Sequence, residues 1–201
     1  MDYQIIEMEQ DHIPGVVEVH LASFQGFFLS FLGSAFLRQF YVSLLEDEYG
    51  ICLVALYENE VVGFVAGTNR SNGVYSRVLR RRFFRFSLAV VPAMIKNPSI
   101  TPRLFRGFIN PSGGRLIDHD RGMLMSIAVL PDNQGQGIGR QLVSAFLDRV
   151  SKTGVSQVDL TTDKFCNEEV NLFYQEFGFK YEGSIITPEG REMNKYVINL
   201  N

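Results

Sequence analysis

The sequence predicts a single α/β domain, a mixed sheet flanked by helices with a basic helical insertion. Three observations carry this. Strand-like apolar runs and runs with 3.6-residue periodicity alternate along the chain. A strong strand, "GMLMSIAVLP", leads through "QGQGIG" into an amphipathic run, "IGRQLVSAFLDRV". The 201 residues are 46% hydrophobic and 20% charged, enough apolar material for one core, and no linker is rich enough to divide them. The domain is expected to span 1–201, with the insertion at about 72–112.

Each element has a local reason. "YQIIE" reads as a first strand, and Met1–Glu9 alternates as part of the fold rather than as a leader. Asp11 is placed to cap a helix with Pro14 in its first turn, running to about Ser23. Gly26 interrupts, and Gly33 opens a second helix, "GSAFLRQFYVSLLED". "ICLVALYE" and "EVVGFVAGTN" form a hairpin joined by Asn59. Arg77–Ile109 reads as helical in pieces, broken by Pro92, Pro98 and Pro102. The run after the glycines repeats Ile138, Leu142, Val143, Phe146, Leu147 and Val150 along one helix face, with Gly154 beyond its end. "VSQVDLTTD" is a strand, and "NEEVNLFYQEFG" is a helix stopped by Gly178. A last hairpin closes around "PEG".

Charge is segregated. Between Val61 and Ile117 there are ten basic residues and no Asp or Glu, so the net charge of −3 leaves −13 on the rest. One positive face is expected. Two cysteines, Cys52 and Cys166, make no disulfide framework and read as buried thiols in a reducing, cytoplasmic setting. The longest uncharged stretch, Leu21–Leu37, falls short of the roughly 20 apolar residues of a spanning helix.

The glycine turn at Gln134–Arg140 has the layout of a phosphate cradle. A P-loop needs Gly-Lys-Ser/Thr, but Arg140 and Gln141 follow Gly139. A dinucleotide fingerprint needs its third glycine three residues after the second and an early place in the fold, and neither holds. The remaining pattern is Gln/Arg-x-x-Gly-x-Gly/Ala, met by Gln134, Gly137 and Gly139. Downstream, Asn167 and Tyr174 stand seven apart on one helix face, followed by Gly178-Phe179.

In these paired motifs, over about Met123–Lys180, the sequence resembles the GNAT acetyl-coenzyme A-dependent N-acetyltransferases. The resemblance implies a mixed, mostly antiparallel sheet, splayed at its centre between Ile127–Val129 and Leu160–Asp163. It implies acetyl-CoA as acetyl donor, with the pyrophosphate on the main chain of Gln134, Gly135, Gln136, Gly137, Ile138, Gly139 and Arg140. Glycines admit that close approach, and the helix N-terminus favours the anion. Ile127, Ala128, Val129 and Asn167 are implied to hold the pantetheine arm. A main-chain N–H of Val129 is implied to face the oxyanion, and Tyr174 to protonate the departing thiolate. Val170 and Asn171 depart from the family pattern, and Asn171 is placed to line the site.

Asp163, which follows the second splayed strand, is the first candidate for the base that takes the amine proton, with His20, His119, Asp120 and a water relay as alternatives. Phe24, Phe27 and Phe28 are expected to wall the acceptor. No metal is expected. The expected acceptor is a small-molecule primary amine, with a nucleotide- or lipid-linked amino sugar among the options. The alternatives are a protein N-terminus or lysine, or an acetyl-CoA-binding module without catalysis. Nucleic acid is not expected from an enzymatic motif set and a pI near 5.6. The basic insertion suggests peripheral membrane contact. The oligomeric state stays open, a dimer included.

Overall fold

The computed structural model describes residues 3–25, 27–96, 121–187 and 190–200, and within them the alternating runs become seven strands and seven α-helices. β1 (Gln4–Glu7) leads through a tight turn at Gln10–His12 into α1 (Ile13–Ser23). Asp11 does not cap that helix. It lies inside the turn, which reciprocal bonds between Glu9 and His12 hold, and His12 takes the cap position. A short helix that the sequence did not announce, α2 (Phe28–Phe31), precedes α3 (Gly33–Leu45). Ser30 Oγ donates to Phe24 O at 2.6 Å and closes the loop before it.

β2 (Gly50–Tyr57) and β3 (Glu60–Thr68) pair through a two-residue turn. Glu58 and Asn59 both take positive φ, 49° and 67°, as a hairpin turn matched to strand twist requires. α4 (Val74–Arg81) and α5 (Phe83–Lys96) begin the insertion. They part at Arg82, not at Pro92, which sits inside α5 on its exposed side. There the carbonyl freed by the missing N–H is solvated, so the helix continues. Pro98 and Pro102 lie outside the described residues. β4 (Gly122–Val129), α6 (Ile138–Ser151), β5 (Gln157–Asp163), α7 (Glu168–Phe177), β6 (Lys180–Ile186) and β7 (Glu192–Asn199) complete the order. The "PEG" turn is described only at Gly190.

The strands form one sheet in the order β1-β2-β3-β4-β5-β7-β6. Every pairing is antiparallel except β4 with β5. Both faces are covered, as the alternation in β2 requires. Cys52 and Val54 face the layer of α1, α3, α4 and α5, while Leu53 and Ala55 face the layer of α6 and α7. Phe146, fully buried on α6, anchors the second layer, and its truncation to alanine costs about 3–5 kcal/mol. The insertion docks by burying Val74, Val78, Phe86 and Val90 in the core, and through charge. Arg77 bonds Asp47 at 3.1 Å, and Arg82 pairs with Glu46 just past the end of α3.

β4 and β5 pair only at Gly122↔Val158 and Met123↔Asp159. Beyond that point β4 follows β3, and β5 follows β7 as far as Asp163↔Met193. A bulge opposite Ala66 and Gly67 inserts Met125 into β4 and bends it away. The centre of the sheet is therefore splayed. Its closed end is tied by a charge network across four strands. Lys195 reaches Asp159 at 3.6 Å and Glu182 at 2.7 Å, and Arg121 reaches Glu182 at 2.9 Å. Burial pushes the Asp159 carboxyl above the usual carboxylate range, and Lys195 and Arg121 pull against that shift.

Removing Lys195 leaves Asp159 buried without its cation. Lys195→Met should lose about 3 kcal/mol of stability at pH 7 in urea unfolding. The loss should be smaller at acid pH than at pH 7, because Asp159, already raised by burial, takes a proton the more readily and once protonated needs no cation. A loss equal at both pH values would contradict this.

Candidate active site in the splayed sheet

The splay exposes main-chain groups. Leu130 N–H donates to Val62 O at 2.8 Å, and Val129 is registered with Gly63. Antiparallel ladders alternate, so Ala128 faces β3 with its polar groups, while Ile127 and Val129 turn theirs towards the open side. The carbonyl of Val129 is held there by Gln134 Nε2 at 3.0 Å and Ser23 Oγ at 3.4 Å. Gln134 thus braces the strand end rather than only preceding the glycines.

The glycine turn begins after a tight turn at Pro131–Asn133. Gly135 and Gly137 take φ of 74° and 81°, which side chains resist. Added Cβ atoms there would meet no protein atom within 4 Å, so the surface beside them is open. Gly139 differs. Its φ is ordinary, and a Cβ would meet only Val129 Cγ2 at 4.0 Å. Gly137 caps α6, whose first N–H groups face outward with the positive end of a 14-residue helix. Tyr3 props this turn, because its hydroxyl lies 3.4 Å from Gln136 O and accepts from Gln141 Nε2 at 2.8 Å. Arg140 is half-exposed and lies 3.6 Å from Glu176 and over Phe177, a contact that screening leaves weak.

Across the cleft stands α7. Asn167 occupies the cap position without capping. Its Nδ2 donates instead to Thr162 Oγ1 at 2.6 Å and Asp163 O at 3.3 Å, tying α7 to β5. Its Oδ1 has no hydrogen-bond partner among the described residues. Asn171 does not line the site. It is buried, and all its groups are used. Nδ2 serves Asp163 O and Asn167 O, while Oδ1 accepts from Asn194 and Tyr196 at 2.8 Å each. Tyr174 packs against Phe173, Phe179 and Tyr196, and burial pushes its phenol well above the usual tyrosine range. Its hydroxyl has no hydrogen-bond partner among the described residues, yet is not fully buried. Cys166, expected to be buried, is exposed with φ 54°, whereas Cys52 is buried.

The candidate bases are now located. Asp163 ends β5 beside the cleft, but Arg191 grips its carboxylate, with Nη2 at 2.6 Å from both oxygens and Nε at 3.2 Å. Three charge-assisted bonds from Arg191 thus occupy the carboxylate and fix its orientation in this arrangement. His20 is not on the helix surface. It is buried, bonded to Tyr41 Oη at 2.7 Å, and pushed down to about 4 by burial, so it is neutral at pH 7. His119 and Asp120 lie outside the described residues.

Phe24 packs on His20 with the rings tilted by 48° and centroids 4.6 Å apart, and meets Phe27 edge-on at 5.4 Å. Arg191 lies 4.8 Å over the Phe27 ring. Arg191 therefore joins the end of β5 to the loop before α2. Gly26 and the side chain of Phe28 lie outside the described residues. Sequence reasoning missed Arg191, Tyr3 and Ser23, since a lone arginine, tyrosine or serine carries no motif.

The model of the Acetyltransferase (GNAT) family matches residues 17–179. No curated protein matches the sequence. Solved structures match along the whole chain. The ribosomal-protein-S18-alanine N-acetyltransferase from Escherichia coli aligns with TM-score 0.61 and 16% identity, over 100% of this chain and 95% of that one. Ard1 from Thermoplasma volcanium aligns at 0.64 and 14%, over 100% and 99%. The NatC complex bound to Gag peptide and CoA aligns at 0.61 and 14%, over 100% of both chains. At these identities the likeness is one of fold.

The glycines make separable demands. Gly137→Ala forces a side chain into left-handed backbone and should weaken acetyl-CoA binding about tenfold by calorimetry. Gly139→Ala, with only ordinary contact to meet, should stay within about twofold of the parent. Equal losses would show that backbone conformation is not what the turn supplies.

Proposed function

The chain belongs to the GNAT acetyltransferase family, which uses acetyl-CoA, and from that premise we propose that it acetylates a primary amine of a small molecule or amino sugar by direct attack. Bound acetyl-CoA supplies the thioester whose acyl carbon the amine attacks. The residues of the cleft fit such a donor. The open glycine turn and the α6 N-terminus offer main-chain N–H groups to a pyrophosphate. Ile127, Ala128 and Val129 line the cleft opposite Asn167, whose free Oδ1 accepts an amide N–H of the pantetheine arm.

Val129 N–H, turned to the open side, stabilises charge on the thioester oxygen. Tyr174 holds its proton in an apolar pocket and delivers it to the departing thiolate. Asp163 holds Arg191 over the acceptor side, and the amine proton leaves to water. Phe24 and Phe27 wall the acceptor. The free thiols Cys52 and Cys166 support a reducing compartment, the cytoplasm.

The observation that favours a small acceptor is the Asp163–Arg191–Phe27 contact, which narrows the side where an extended peptide would lie. A second reading, acetylation of protein N-termini, is supported by similar structures that act on a ribosomal-protein alanine or hold a peptide. Thiol release over amines, amino sugars and N-terminal peptides separates the two. Turnover restricted to peptides would replace the first with the second.

Tyr174→Phe should lower kcat about a hundredfold while acetyl-CoA affinity stays within about twofold. Because the raised phenol stays protonated, no loss of kcat from its ionisation is expected up to about pH 10. An unchanged kcat would remove Tyr174 as the acid. Asp163→Asn should raise KM for the amine more than it lowers kcat. A collapse of kcat with KM intact would restore Asp163 as the base.

A further inference from the structure

α5 is apolar on two opposite faces. Phe86 and Val90 are buried in the core layer of α3, with Met94 packed beside them. Phe84, Leu88, Val91 and Ile95 recur at helical spacing and fall within about 60° of one another, opposite that buried face. They are 82%, 74%, 44% and 75% exposed. An isolated exposed leucine needs no explanation, but a continuous stripe on the outer face of a packed helix does.

Cations gather at one end of the stripe. Glu46 and the run Arg80–Arg85 line an open cavity of about 520 Å³. Arg82 is spent on Glu46, and Arg81 bonds Glu46 O. Arg80 and Arg85 are exposed and have no ion-pair partner among the described residues. No carboxylate occurs anywhere between Val61 and Ile117.

We propose that α5 is an interfacial helix that seats the protein on an anionic lipid bilayer. The stripe enters the acyl boundary, and the arginine cavity receives headgroup phosphates. Among the described residues no helix is long and apolar enough to cross a membrane, so the contact is peripheral. Charge selects this partner over the others. A second copy docked symmetrically through this face would set arginines against arginines. Residues 97–120 of this chain bring three more arginines against two aspartates, Asp118 and Asp120, and so add to the positive charge rather than offset it. Nucleic acid answers the charge but offers the stripe no apolar interior. A bilayer with acidic headgroups answers both.

Co-sedimentation tests this, using vesicles of phosphatidylcholine alone or with about a third phosphatidylserine. The protein should pellet with the acidic vesicles at low salt, and be largely released by high salt or by omitting phosphatidylserine. Arg80→Ser with Arg85→Ser should weaken vesicle binding about thirtyfold. Leu88→Glu with Ile95→Glu should abolish it. Both pairs are surface changes and should leave thiol release in solution unchanged, so loss of seating is distinguishable from failure of the enzymatic reading. Absence of binding to acidic vesicles, or binding indifferent to both pairs, overturns the proposal. A self-association in ultracentrifugation that the Leu88/Ile95 pair dissolves would also overturn it, assigning the stripe to a second copy.

Discussion

The structure depends on one parting of strands. β4 and β5 share two residue pairs and then diverge, each continuing on the neighbour at its other side. Ile127 and Val129 consequently present N–H and C=O groups to a gap inside a sheet that is otherwise paired. Unmet main-chain groups in such a place cost about 1–3 kcal/mol each, so the splay persists only because other contacts enforce it. The bulge at Met125 bends β4. The Lys195, Asp159, Glu182 and Arg121 network ties the closed end. Gln134 and Ser23 satisfy the Val129 carbonyl and leave its N–H directed into the gap. On the proposed reading, an extended arm carrying amides would complete the pairing as a short strand.

The two sides of the gap are built differently. On the β4 side, main-chain geometry dominates, with glycines at positive φ, a helix N-terminus and a strand edge. On the α7 side, side chains dominate. Asn171 makes four hydrogen bonds, three that fasten α7 to β5 and β7 and one to Asn167 O at the start of its own helix, so the neighbouring Asn167 and Tyr174 are held by a saturated network. The same network explains the departure from the family pattern at Asn171 as structural. Tyr174 is left with a buried ring and a hydroxyl without a hydrogen-bond partner among the described residues, kept neutral by its surroundings.

The glycine turn and the α7 face were legible in the sequence because they are local. "QGQGIG" must form a turn with left-handed residues, and the periodic run after it must form a helix, whatever the rest of the chain does. Asn167 and Tyr174 share a helix face by spacing alone. The Arg191–Asp163–Phe27 contact was not legible, because it joins distant segments. Arg191 meets Asp163 and Phe27 only once β7 lies beside β5 and the loop before α2 folds over the gap. Burial of His20 likewise follows from the packing of α1 on β3 and α3, which the weakly amphipathic α1 does not announce. Pro92 misled because a proline on a solvated helix face costs a hydrogen bond that water replaces. Cys166 misled because its apolar neighbour Phe165 is itself exposed.

The central claim is that the open edge of β4 and the glycine turn together receive acetyl-CoA. Amide hydrogen exchange with and without acetyl-CoA tests it most directly. Exchange should slow at Ile127, Val129 and Gly135–Arg140, while α5 and the edge strand β6 stay unchanged. Protection that appears elsewhere and leaves both segments unaffected would contradict the account.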